Sequence, residues 1–296
     1  MISAALVKEL RERTGAGMMD CKRALEQSEG DMDKAIEFLR EKGLATAAKK
    51  AGRVAKQGII FGKLVGNKGA LVELNCETDF VAKNESFQSL GNALVELVLS
   101  NGLTQVEALL QMPHEGHTVT DALTNLIATI GENMAIRRIA YFDAPENSML
   151  DLYIHGGGRI AVITQLEIGD SAATQKSELR ELVHDLSLQI VAAKSQFVSQ
   201  SDIDPETIEK EKQIYKVQAM NEGKPENIAE KMVEGRLRKF FEEVVLLNQL
   251  YIKDTDITVQ KLIDKLAKEC ATSIKVVRFV RFEIGEGVTE SEESEE

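Results

Sequence analysis

Twice in this chain, two short apolar runs joined by a glycine turn are followed by an amphipathic run and, further on, by another strand-like run. The first set is Ile59 to Val65, the turn Gly66-Asn67-Lys68-Gly69, and Ala70 to Cys76. A period of two on either side of a short glycine turn predicts a β-hairpin. Phe87, Leu90, Leu94, Leu97 and Val98 then share one helical face, and Asn101-Gly102 ends that helix. Another helix runs through Leu123, Ile127 and Ile130, and Ile136 to Phe142 reads as a strand. The second set is Met149 to Ile154, Gly156-Gly157-Gly158, and Ile160 to Leu166. A helix follows through Leu179, Leu182, Val183, Leu186 and Ile190, and a closing strand comes far downstream at Lys275 to Ile284. Hairpins make antiparallel sheets, so the fold class is α+β with two related core subdomains. In the first hairpin Val72, Leu74 and Cys76 alternate with Glu73, Asn75 and Glu77, which predicts one buried and one wet face.

The helical period governs the rest. Ser3 can cap a helix bearing Leu6, Val7 and Leu10, and Thr14-Gly15-Ala16-Gly17 breaks it. A second helix carries Met18, Cys21, Ala24 and Leu25. After Glu29-Gly30, Asp31 caps a third helix with Ala35, Ile36 and Leu39, expected to stop at Gly43. Three short helices around one core make a small bundle suited to docking. Thr46 to Gln57 is alanine-rich and basic at Lys49, Lys50, Arg53 and Lys56. It is a linker, flexible or helical, or else a positive patch that meets an acidic partner surface. Pro205 to Asn221 and a second run through Ile228, Met232, Leu237, Phe240 and Val244 flank the tight turn Glu222-Gly223-Lys224-Pro225. Such a turn forces the two helices antiparallel, as a projecting coiled-coil arm. The expected division is residues 1–53, bundle and linker; 54–142, first core subdomain; and 143–296, second core subdomain. The last holds the inserted arm at about 205–245 and an acidic tail at 288–296.

Several function classes are excluded by bulk chemistry. The net charge of −12 repels phosphate backbones, so nucleic acid is not an expected partner. No apolar run approaches the ~18 residues of a membrane span. Met1-Ile2-Ser3 leads straight into a helical pattern, so no leader peptide is expected. Cys21, Cys76 and Cys270 stand far apart, without a CxxC pair, which suits a reducing, cytoplasmic setting and gives no zinc site. His114-Glu115-Gly116-His117 lacks the one-turn histidine spacing of a helical zinc motif, and Pro113 and Gly116 break the helix. Gly156-Gly157-Gly158-Arg159 is a hairpin turn, and no phosphate-binding glycine motif occurs. No catalytic group, metal or cofactor is therefore expected.

What remains is Thr78-Asp79-Phe80-Val81-Ala82-Lys83-Asn84, at the seam between a strand and a helix. It sets a carboxylate beside a large aromatic. If Phe80 packs beside Phe87, it is core; if it points outward, it is built to enter a partner.

Leu6-Val7-Lys8-Glu9-Leu10-Arg11 with Thr14-Gly15-Ala16-Gly17-Met18-Met19-Asp20-Cys21-Lys22 resembles the amino-terminal module of bacterial elongation factor Ts. So do Ala47-Ala48-Lys49-Lys50-Ala51-Gly52 and, centrally, Glu77-Thr78-Asp79-Phe80-Val81-Ala82-Lys83-Asn84. Ile130-Gly131-Glu132-Asn133, Arg137-Arg138, the run from Ala229 to Arg236 and the run from Arg281 to Gly287 are similar to further blocks of that family, in order along nearly the whole chain. The chain departs from the pattern in the glycine turn before Arg159 and in its acidic end, where longer members continue with a helix that returns to the partner.

The resemblance implies a ubiquitin-associated-like bundle at the amino terminus. It implies a guanine-nucleotide exchange factor, not itself an enzyme, for elongation factor Tu, the GTPase that delivers aminoacyl-tRNA. Thr78, Asp79, Phe80 and Val81 would disturb the partner's Mg²⁺ site. Met18, Met19, Lys22, Lys50, Ile130, Gly131 and His155 would contact the partner, His155 on a different domain of it. A homodimer or a 2:2 complex is compatible. A ubiquitin-associated-like adaptor without exchange activity is the alternative.

Overall fold

The computed structural model describes residues 2–222 and 225–288. The middle of the expected arm turn, Gly223-Lys224, and residues 289–296 of the acidic tail lie outside the described residues.

The chain opens with α1 (Ala4–Thr14), α2 (Met18–Gln27) and α3 (Met32–Lys50). Ser3 caps α1 by accepting from the Leu6 N–H, and Asp31 caps α3 by accepting from Asp33 and Lys34. Val7, Leu10, Cys21, Ala24, Leu25 and Ala35 close one small core. α3 does not stop at Gly43. It runs seven residues further, through the first part of the expected linker, because Gly43 is a packing position. The space where a Cβ would sit faces Ala128 and Thr124 at 3.7 and 3.8 Å. Glycine there lets α3 lie close against the core helix described next as α7. The bundle is thereby joined to the core by a continuous helix.

The first core unit is β1 (Gln57–Val65), β2 (Lys68–Cys76), α4 (Asp79–Ala82), α5 (Glu85–Asn101), α6 (Val106–Leu110), the ribbon β3 (Pro113–His114) and β4 (His117–Thr118), α7 (Val119–Ile130) and β5 (Met134–Asp143). The second is β6 (Ser148–His155), β7 (Ile160–Ile168), α8 (Ser177–Ala192), the arm helices α9 (Pro205–Asn221) and α10 (Glu226–Val244), the ribbon β8 (Leu250–Tyr251) and β9 (Asp254–Thr258), α11 (Val259–Glu269) and β10 (Ile274–Glu283). Both sheets are antiparallel and place the hairpin's second strand at the centre: β1-β2-β5 and β6-β7-β10.

The correspondence reaches single residues. The closing strand of each sheet carries one bulge, passing over Arg137 in β5 and Val277 in β10. A bulge re-aims the strand that contains it. The next residue in each case is an arginine whose guanidinium lies on a ring of the other sheet's closing strand. Arg138 stands 4.3 Å over Phe282, and Arg278 stands 3.9 Å over Phe142. The halves clasp each other reciprocally. Between the sheets Ile60, Leu71, Phe142, Ala161, Ile163, Phe282 and Ile284 form a shared core. The outer faces are covered by α5 and α7 on one side and by α8 and α11 on the other. Gly91 lets α5 settle on Phe61, whose ring would lie 2.1 Å from any Cβ added there.

This second layer corrects the expected wet face of β2. Glu73 and Asn75 are buried, because that face meets the other sheet and not water. Glu73 is tolerated there because Arg138 Nε donates to it at 2.5 Å and Arg137 Nη1 at 3.3 Å.

The arm is antiparallel. Phe197, Ile203, Ile208, Val244 and Val245 pack its base. Below the base a buried amide relay fixes the chain on either side of the arm. Gln249 Oε1 accepts from Ser195 Oγ at 2.7 Å and from Gln189 Nε2 at 3.2 Å. Towards the tip Ile214, Val217 and Met220 are exposed. Among the described residues, no helix is long and apolar enough to cross a membrane.

Candidate functional site

The strand β2 is held flat by neighbours on both sides, so it ends rigidly at Cys76. The chain then needs a tight turn to reach α5. Thr78 is extended and caps α4, accepting from the Val81 N–H at 3.4 Å. Asn84 caps α5 by accepting from Ser86 at 2.9 Å. Between the two caps, one turn of helix sorts four residues by direction. Val81 and Ala82 turn into the core that holds Phe87. Asp79 and Phe80 face solvent, Phe80 with 79% of its surface exposed. The ring is therefore not a core residue. An aromatic left open on a rigid turn costs free energy in water and gives a ready anchor for a partner. Val81, grouped with it in the sequence reading, is the anchor from inside.

Asp79 is paired with Lys83 at 2.8 Å. That hydrogen bond holds its carboxyl below the usual carboxylate range, and the charge of Arg159 adds a smaller pull. The glycine turn of the second hairpin thus reaches the same neighbourhood; Gly158 accepts from the Ile60 N–H at 2.8 Å. Burial pushes the Cys76 thiol up to about 12, so it is an inert filler beneath the turn.

Two further segments, residues 130–133 and 50–53, converge from behind. Glu132 accepts from the Thr78 N–H at 3.0 Å and from the Thr78 hydroxyl at 2.7 Å. Glu77 accepts from the Asn133 N–H at 2.5 Å and faces Arg53 at 3.7 Å. The Asn133 amide donates to the carbonyl of Arg53 at 2.6 Å. Lys50 donates to the carbonyl of Gly131, the αL cap of α7. Lys50 is therefore tied to the core, and with Gly131 it forms part of the brace. Ile130 is half-buried against the first core. Glu77, Glu132 and Asn133 were not singled out from the sequence. All three stand in blocks that carry the family resemblance, Glu132 and Asn133 in the short gap between the capping Gly131 and β5, and Glu77 between β2 and Thr78.

The remaining positions lie apart. Met18 and Met19 start α2 and are 57% and 62% exposed, so Met18 does not join the bundle core. Lys22 stands one turn further, 3.8 Å from Glu26. His155 ends β6, its Nδ1 3.0 Å from the hydroxyl of Tyr153, whose ring meets His184 edge-on. His114 and His117 face each other across the β3–β4 ribbon, with Glu115 and Gly116 at positive φ in its turn. Among the described residues no group of three or more His, Cys, Asp or Glu side chains could hold a metal ion.

Residues 77–286 match the family described as elongation factor TS. Elongation factor Ts of Clostridium botulinum (strain Alaska E43 / Type E3) is 52% identical over 297 residues, covering 99% of this chain and 96% of that protein. Elongation factor Ts of Clostridium perfringens (strain SM101 / Type A) is 51% identical with the same coverage. The class so defined is that of α+β translation elongation factors. Within it, the chain belongs to the elongation factor Ts family.

Proposed function

We propose that this chain is a guanine-nucleotide exchange factor for elongation factor Tu. Exposed Phe80 beside Asp79, on a turn braced from behind, is the observation that carries the proposal. The partner holds GDP partly through a Mg²⁺ ion, which demands near-ideal octahedral geometry. A ring driven between the partner's side chains, with a carboxylate competing for polar groups, displaces the ligands of that ion and loosens the nucleotide. Coupling is reciprocal: if the factor weakens GDP, GDP weakens the factor equally. Exchange is then accelerated in both directions, and the excess of GTP over GDP sets the outcome. The protein lowers a barrier in another protein and needs no catalytic group or cofactor of its own.

In this reading residues 1–53 dock through Met18, Met19 and Lys22. Residues 54–142 carry the wedge, with Thr78 and Val81 seating it, and Ile130 and Gly131, together with Lys50 of the preceding segment, add contacts with the partner beside it. Residues 143–296 add His155 as a contact with a second domain of the partner, and the arm offers a surface for a second copy. The setting is the cytoplasm. The test is release of labelled GDP from elongation factor Tu, with and without the full chain. Acceleration at micromolar protein is the expected result. Binding without acceleration would favour an adaptor instead.

A further inference from the structure

Val81 and Ala82 hold the turn that carries Phe80 from inside, but its cap is held from elsewhere. α4 has four residues, too few for a helix to persist unaided. Its capping bond, at 3.4 Å, is long. Phe80 and Asp79 are exposed, so packing does little to orient them. Glu132 reaches Thr78 from the turn between α7 and β5, 54 residues away, and grips it with both oxygens. Bonds to an ionised acceptor are roughly twice as strong as neutral ones.

The other half of the molecule closes the same connection with different contacts at the cap. Asp170 caps the connection from β7 to α8, as Thr78 caps that from β2 to α5. Its N–H donates to Thr272 Oγ1 at 3.0 Å. Thr272 stands two residues before β10, as Glu132 stands two residues before β5. Around that bond, the Gly169 N–H donates to the Ser273 carbonyl at 2.9 Å and Lys176 Nζ to the Cys270 carbonyl at 2.7 Å. At the capping residue itself, Thr272 makes one neutral bond where Glu132 makes two from a carboxylate.

We propose that Glu132 is a positioning residue, whose bidentate hold on Thr78 fixes the direction in which Asp79 and Phe80 leave the sheet. The proposal rests on the exchange reading above. A misplaced wedge still docks but displaces less, so the loss falls on the rate and not on affinity.

The test is GDP release from elongation factor Tu by the full chain carrying Glu132→Thr, the other half's own residue, and by Glu132→Gln. Glu132→Thr should lower the maximal release rate about tenfold. The concentration giving half-maximal effect should stay within about twofold of wild type, and the melting midpoint should not move. Glu132→Gln keeps one acceptor for the Thr78 N–H and should recover most of the rate. In a Phe80→Ala background, Glu132→Thr should change the residual rate by less than about twofold, since the pair acts as one unit. A wild-type rate for Glu132→Thr overturns the proposal. So does an equal loss with and without the Phe80 ring. Full activity of Phe80→Ala alone overturns the wedge reading itself, and is distinguishable from both.

Discussion

The two strand-to-helix connections, residues 77–84 and 169–176, have the same length, and each follows its cap with a short helical turn, α in the first and 3-10 in the second. Each opens with a capping side chain, Thr78 accepting from Val81 and Asp170 accepting from Ala172. The first buries Val81 and Ala82 beneath, the second Ala173. Each passes directly into a long helix, α5 or α8. Asp79 and Lys83 face Ser171 and Gln175 in the comparison, and the largest outward difference is Phe80, which is Ala172 in the second. A turn of this shape therefore closes with a methyl group there. The ring contributes nothing to closure, and its exposure is explained by something outside the fold.

The same comparison one layer deeper concerns Glu73 and Gln165, which occupy matching places on the central strands. Glu73 is buried under Arg137 and Arg138, whereas Gln165 accepts from Arg278 Nε at 3.3 Å. A buried carboxylate is stable only while its partners remain, and removing it leaves two guanidinium groups facing a void. Glu73→Ala should cost roughly 2–3 kcal/mol in urea denaturation, and Gln165→Ala about 1 kcal/mol. Equal costs would mean that the charge is solvated from the side and that the two halves are held alike.

At the connections themselves, Phe80→Ala should slow GDP release from elongation factor Tu by more than tenfold, about 1.4 kcal/mol or more in barrier. Its melting midpoint should shift by less than about 2 °C, since an exposed ring takes no part in the core. Ala172→Phe, which builds the ring on the other half, should leave exchange unchanged. A fall of many degrees for Phe80→Ala would make the ring a packing residue and end the contrast between the two turns.

Much of this was legible in the residues. The hairpins, α5, α7, α8 and β10 follow from the period of their apolar positions, and the caps at Ser3 and Asp31 stand where polar short side chains precede a helical face. The errors at β2 and at Gly43 have one cause: a partner layer that periodicity does not show. Glu73 and Asn75 looked wet because nothing in the strand announces a second sheet above it. Gly43 looked like a stop because its close neighbour, α7, lies some eighty residues on. α11 escaped attention although Val259 and Ile263 are buried on one face, since its other face is dense with lysine. Asp79-Phe80 could be picked out as unusual. That the ring points outward depends on Val81 and Ala82 turning in, and that it is braced depends on Glu132, neither of which local sequence determines.

The subtlest difference to seek is the absence of one. Arg138 lies over Phe282 and Arg278 over Phe142, and all four residues occupy matching places in the two closing strands. If the clasp is truly reciprocal, Phe142→Leu and Phe282→Leu should each cost about 1 kcal/mol, through lost ring area and a lost cation–π contact of about 0.5–1 kcal/mol. The two values should agree within about 0.5 kcal/mol. The pairing is crossed, so the control must be crossed too. In an Arg278→Met background the cost of Phe142→Leu should shrink by about half a kcal/mol, while that of Phe282→Leu should not change. Phe142 is fully buried and Phe282 nearly so, which leaves little room for solvent to blur the result. A difference above 1 kcal/mol between the two rings, or coupling to the wrong arginine, would show that one half supports the other instead of both sharing the interface.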